Sequence, residues 1–81
     1  MENRVAIVAI VVEDLAKAEE VNKVLHEYGD YIIGRMGIPH RERGISLISV
    51  ALDGPSDVVS ALSGRVGSIE GVSAKAVYTK Q

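Results

Sequence analysis

Apolar runs and polar breaks alternate along the chain at spacings that predict four strands and two helices. Arg4 to Val12 comes first, with Val5 to Val12 apolar throughout and rich in β-branched residues. Such a run has two apolar faces, which predicts a strand in the middle of a sheet, covered on both sides. From Leu15, apolar residues recur at Ala18, Val21, Val24, Leu25 and Tyr28, while Lys17, Glu19, Glu20, Lys23 and Glu27 fill the opposite side. That spacing predicts an amphipathic helix, with Asp14 as its N-cap and Gly29 as its stop.

Tyr31 to Ile38 reads as a second strand, interrupted by Gly34 and Gly37, with Ile32, Met36 and Ile38 on one face and Tyr31, Ile33 and Arg35 on the other. Pro39 to Arg43 is a polar turn. Gly44 to Asp53 is a third strand in which Ser46, Ile48, Val50 and Leu52 alternate with Ile45, Leu47, Ser49 and Ala51. Two strands joined by a short polar link make a hairpin. Gly54-Pro55-Ser56 opens a second helix with proline in its first turn, Val58, Val59, Leu62 and Val66 form its buried stripe, and Gly67 ends it. Gly71 to Thr79 is the last strand, with Val72, Ala74, Ala76 and Tyr78 on one face.

The order βαββαβ predicts an α+β, ferredoxin-like domain over residues 1–81: a four-stranded antiparallel sheet with both helices on one face. The other face has no helix, yet Ile33, Ile45, Leu47, Ala51 and alternate residues of the first strand fall on it. An uncovered apolar sheet predicts a homo-oligomer, dimer or tetramer, built by sheet stacking or edge pairing.

Composition narrows the chemistry. The chain has 81 residues, is 47% hydrophobic and 25% charged, and contains no cysteine. A disulfide framework, a thiolate metal site and a cysteine nucleophile are thereby excluded. The formal net charge of −2 supplies no basic stripe, so direct binding of nucleic acid is not expected. Val5 to Val12 is far shorter than the roughly 20 residues of a membrane span. It follows Met1-Glu2-Asn3-Arg4 and runs straight into Glu13-Asp14, with no cleavage site of small residues. The expectation is a cytoplasmic protein with no membrane partner.

The densest chemistry lies in Gly34-Arg-Met-Gly-Ile-Pro-His-Arg-Glu-Arg-Gly44. Arginines offer forked donors to carboxylate or phosphate, and glycines let a ligand approach the backbone. Arg35, Gly37, His40, Arg41 and Arg43 are therefore the candidate binding residues for a small anionic ligand. The plain alternative is a solvated hairpin turn. His26 and His40 are the only histidines and the candidate metal ligands, which would have to meet at an interface between subunits. The plain alternative for His26 is a favourable place near a helix C-terminus. Seven serines are spread over strand, cap and helix-surface positions without a Gly-x-Ser-x-Gly elbow. The carboxylates Glu13, Asp14, Glu19 and Glu20 gather at a helix start, where they complement its dipole, so no enzymatic activity is expected.

The stretch Leu25-His-Glu-Tyr-Gly-Asp-Tyr-Ile-Ile-Gly-Arg-Met-Gly-Ile-Pro-His-Arg-Glu-Arg-Gly-Ile-Ser46 closely resembles the family of iron-only hydrogenase system regulators. The likeness continues through Leu52-Asp-Gly54, Ser60-Ala-Leu62 and Gly71-Val-Ser73, covering about Val5 to Lys80. It implies a ferredoxin-like fold related to ACT domains and to the C-terminal domain of the nickel-responsive repressor. It also implies an anaerobic bacterial setting beside genes of the iron-only hydrogenase and its maturation. No catalytic residues carry over. The repressor's DNA-binding arm has no counterpart before the first strand, and its nickel-binding cysteine is missing. ACT domains bind ligands near a glycine-bearing strand-to-helix turn, and the comparable Val12-Glu-Asp-Leu15 lacks that glycine. The resulting expectation is an oligomeric, ligand-sensing regulator without a DNA-binding arm of its own. An adaptor for another protein and a metal sensor using interface histidines are the alternatives.

Overall fold

The computed structural model describes residues 3–80. Its elements run β1 (Asn3–Val12), α1 (Ala18–Glu27), β2 (Ile32–His40), β3 (Ile45–Pro55), α2 (Ser56–Gly67) and β4 (Val72–Tyr78). The four strands form one antiparallel sheet in the order β2-β3-β1-β4, the ferredoxin-like arrangement. Period-two alternation decides which side chains meet the helices. Ala6, Val8, Ile10 and Val12 from β1 and Ile48, Val50 and Leu52 from β3 point into the core. They meet Val21, Val24 and Leu25 of α1 and Val59, Leu62 and Val66 of α2. Val72, Ala74, Ala76 and Tyr78 complete the same side from β4.

β1 is central, as its composition predicts, but helices cover it on one side only. Val5 and Ile7 stay exposed on the other. Asp14 does cap: its Oδ1 accepts from the Ala16 N–H at 3.0 Å. The capped segment is a 3₁₀ turn, Leu15–Lys17, and α1 proper starts at Ala18. Pro55 lies outside α2 rather than in its first turn; it is the extended residue that ends β3 (φ −58°, ψ 145°).

The larger departure is in β2. Ile32 pairs with Leu52, but Gly34 pairs with Ala51, so Ile33 is an extra residue in a β-bulge. A bulge moves every later side chain to the opposite face. Met36 and Ile38 therefore join the open face opposite Ser49 and Leu47, not the face of Ile32. Arg35, opposite the core residue Val50, comes to the helix side.

The two helices are joined at one end. Arg65 of α2 donates to Glu27 of α1 at 3.0 Å and lies over the ring of Tyr28. The hydrogen bond and the charge of Arg65 hold the Glu27 carboxyl below its ordinary pKa, and the same contact raises that of Arg65. A lowered carboxylate pKa adds stability that is present above the unfolded value and fades as pH falls through the folded one. Both side chains are about half exposed, so solvent screens the contribution. Glu27→Gln is expected to lower the thermal midpoint slightly near neutrality. The gap should close below the Glu27 pKa, which thermal unfolding across pH checks.

Candidate functional site

The bulge creates a groove. It brings Arg35 from the edge strand β2 to the flank of α1, where one guanidinium nitrogen donates to Asn22 Oδ1 at 2.8 Å. Asn22, Leu25, His26 and Gly29 form one wall and Ile32 and Arg35 the other, around a cleft of about 420 Å³. Leu25 is buried and Ile32 half-buried, so the floor is apolar, while Asn22, His26 and Arg35 are exposed at the rim. Only one of the five guanidinium N–H donors is needed for the Asn22 contact. Arg35 makes no ion pair with any described carboxylate; the ion pair among the described residues is Arg65–Glu27. Glu19 and Glu20 line a separate hollow with Asn22 and Lys23 on the neighbouring surface of α1.

The other candidate binding residues lie elsewhere. Gly37 sits on the helix side of β2, opposite Ile48. His40 ends β2 on the open face, opposite Ile45. Arg41 and Arg43 belong to an exposed 3₁₀ turn closed by Gly44, whose φ is +64°. Five residue steps along the strand carry His40 roughly 16 Å from Arg35, and the two point to opposite faces. The structure thus divides the five residues into Arg35 beside α1 and a cationic hairpin tip, with Gly37 between. His26 lies on the helix side and His40 on the open side, so a single chain cannot bring both imidazoles to one ion. Among the described residues no three of His, Cys, Asp and Glu are grouped to hold a metal. Asn22 is the partner that sequence reasoning did not select. Its signal was its place one helical turn before His26 on the polar side of α1.

The open face is the second candidate surface. Register places its residues in rows across the sheet. Ile38, Leu47, Val11 and Ser73 form one row; Met36, Ser49, Ala9 and Lys75 the next; Gly34, Ala51, Ile7 and Val77 a third. Ile7, Ile38, Met36 and Val77 are each about half exposed or more (49%, 52%, 61% and 61%). Ile33 at the bulge is also exposed. Full charges on this face stand at its margins, Asp53 beside Val5 and Lys75 on the edge strand β4.

The β1–α1 turn is closed by packing rather than open to a ligand. The Glu13 N–H donates to the Gly71 carbonyl at 2.7 Å, and Gly71 lies against the Asp14 side chain. No helix among the described residues is long and apolar enough to cross a membrane.

Comparison with known proteins adds a family and a fold. The family model TM1266-like, described as iron-only hydrogenase system regulator, matches residues 4–76. A solved structure from Thermotoga maritima, the uncharacterized protein TM1266, is similar at 42% identity with a TM-score of 0.92, over 98% of this chain and 100% of that one. A formyltetrahydrofolate deformylase from Pseudomonas putida shares the fold at 16% identity and a TM-score of 0.68, over 95% of this chain and 29% of the enzyme. A search of curated proteins gives no match.

Proposed function

Because the chain belongs to the TM1266-like family of iron-only hydrogenase system regulators, we propose that it regulates by self-association. Copies join through the open sheet face, respond to a small anionic ligand and carry out no reaction of their own. The observation that supports this most is the set of largely apolar rows on a sheet face that no described residue covers. Hydrophobic residues are ordinary on a surface when scattered, but a contiguous patch with polar margins is a mark of association.

The size fits a second copy. A face four strands wide and about ten residues long covers roughly 600 Å², so stacking two copies buries roughly 1,200 Å², the lower end of stable interfaces. A ligand regulates such an assembly only by binding its states with different affinity. The groove beside Arg35 lies on the opposite side of the sheet from the apolar rows. A ligand there acts through the sheet, not as a part of the contact.

Native mass spectrometry of untagged protein tests the reading, since it reports subunit number and bound mass together. A dimer or tetramer is the expected result. A monomer at all accessible concentrations overturns self-association and favours an adaptor that offers the same face to another protein.

A further inference from the structure

We propose that the groove between α1 and β2 is a binding site for a small monocarboxylate with an aliphatic body. This names the ligand class for the ligand-responsive reading above and rests on it. Arg35 supplies the charge. Asn22 holds one of its guanidinium nitrogens from α1, at 2.8 Å, which fixes the fork at the rim and leaves its remaining donors free. A guanidinium fork matches a carboxylate in geometry, and a charge-assisted pair is the stronger kind of hydrogen bond. His26, across the same groove, adds a ring nitrogen that can donate to the second carboxylate oxygen.

The walls decide what kind of anion fits. Leu25 and Ile32 give the groove an apolar floor, and Gly29 leaves open space where any other residue would place a Cβ. Arg35 is the one permanent cation that lines it. A single positive charge balances a monoanion and leaves a phosphate dianion half neutralised. Glu19 and Glu20, close by on α1, outnumber Lys23 beside them and so disfavour a second negative charge. An apolar floor beneath one forked cation therefore selects a carboxylate whose carbon chain lies along Leu25 and Ile32. A cleft of about 420 Å³ has ample room for a short carbon chain.

The bulge at Ile33 is what makes the site. Without it Arg35 falls on the open face with its register neighbours, away from Asn22 and His26.

Titration followed by backbone amide chemical shifts tests the site, with butyrate as the probe and butyramide and inorganic phosphate as controls. Butyrate is expected to shift the amides of Asn22, His26, Gly29, Ile32 and Arg35 to saturation, and the two controls are not. Arg35→Gln should weaken butyrate about 10-fold or more. Arg41→Gln with Arg43→Gln should leave it unchanged. Arg35 is exposed, so the fold survives its replacement, which the same spectra confirm. Butyrate binding that persists in Arg35→Gln, or that is lost only in the Arg41/Arg43 variant, overturns the groove and leaves a ligand-responsive regulator standing. Saturation by phosphate in preference to butyrate overturns the carboxylate assignment. No saturable shift with either anion overturns the site, whereas the self-association half of the earlier reading falls only on the subunit count.

Discussion

Gly71→Ala is expected to cost roughly 2–5 kcal/mol, because two penalties meet at one atom. Gly71 has φ +80°, where a side chain is strained whatever the space around it. A Cβ built there also stands 2.8 Å from the Cβ of Asp14, closer than carbon atoms pack. Neither side can yield easily. The Gly71 carbonyl accepts from the Glu13 N–H at 2.7 Å and from the Asp14 N–H at 3.3 Å, tying the start of β4 to the β1–α1 turn. Gly44→Ala is the matched control. Its φ is +64°, but nothing stands within 4 Å of the added carbon, so it should lose only the conformational part, about 1 kcal/mol. Each kcal/mol moves the thermal midpoint of a domain this small by about 4–8 °C. Gly71→Ala should therefore melt at least about 8 °C below the natural sequence. Adding Asp14→Gly removes the colliding Cβ, and glycine at a cap position costs only a few tenths of a kcal/mol. The double variant should regain most of the steric share. Equal losses from Gly71→Ala and Gly44→Ala would assign the whole effect to backbone conformation.

The elements with one clean period were legible in the sequence. β3 alternates without a break from Ser46 to Leu52, and its even-numbered positions 48, 50 and 52 are the buried ones. β4 behaves likewise, and α1 buries Val21, Val24 and Leu25 from the stripe its spacing predicts. β2 was not legible in the same way. Its apolar residues Ile32, Ile33, Met36 and Ile38 fit either face, and the choice is made by pairing with β3, where Ile33 is skipped. That is a contact between strands, invisible to a pattern within one strand.

The candidate site inherits the difficulty. Arg35 stood out by residue type, but its partner Asn22 depends on the bulge and on where α1 crosses the edge strand. His40, Arg41 and Arg43 were grouped with it because they are close in sequence. A strand turns neighbours to opposite sides and carries them apart at about 3.3 Å per residue, so nearness along β2 gives little shared surface.

The open face yields the other large effect. Ile7→Asp combined with Leu47→Asp is expected to weaken the self-association proposed above by about 1,000-fold or more. Ile7 lies on β1 between Ala51 and Val77, and Leu47 lies on β3 between Ile38 and Val11, so the two sit in the middle of separate rows. Burying an aliphatic side chain of this size contributes roughly 1.5–3 kcal/mol, and a buried unpaired carboxylate adds its own desolvation cost. In a two-fold contact each replacement acts twice, once from each copy. The single chain should tolerate the change, since both side chains are already 42–49% exposed within it. Light scattering over a dilution series reads the subunit count, and circular dichroism checks that the fold persists. A folded monomer where the natural sequence is an oligomer is the expected result. An oligomer that survives both aspartates removes sheet stacking and moves the contact to the edges. There β2 and β4 each leave one row of backbone groups unpaired. Pro39 lacks an N–H on β2, so β4 would then be the strand to block next.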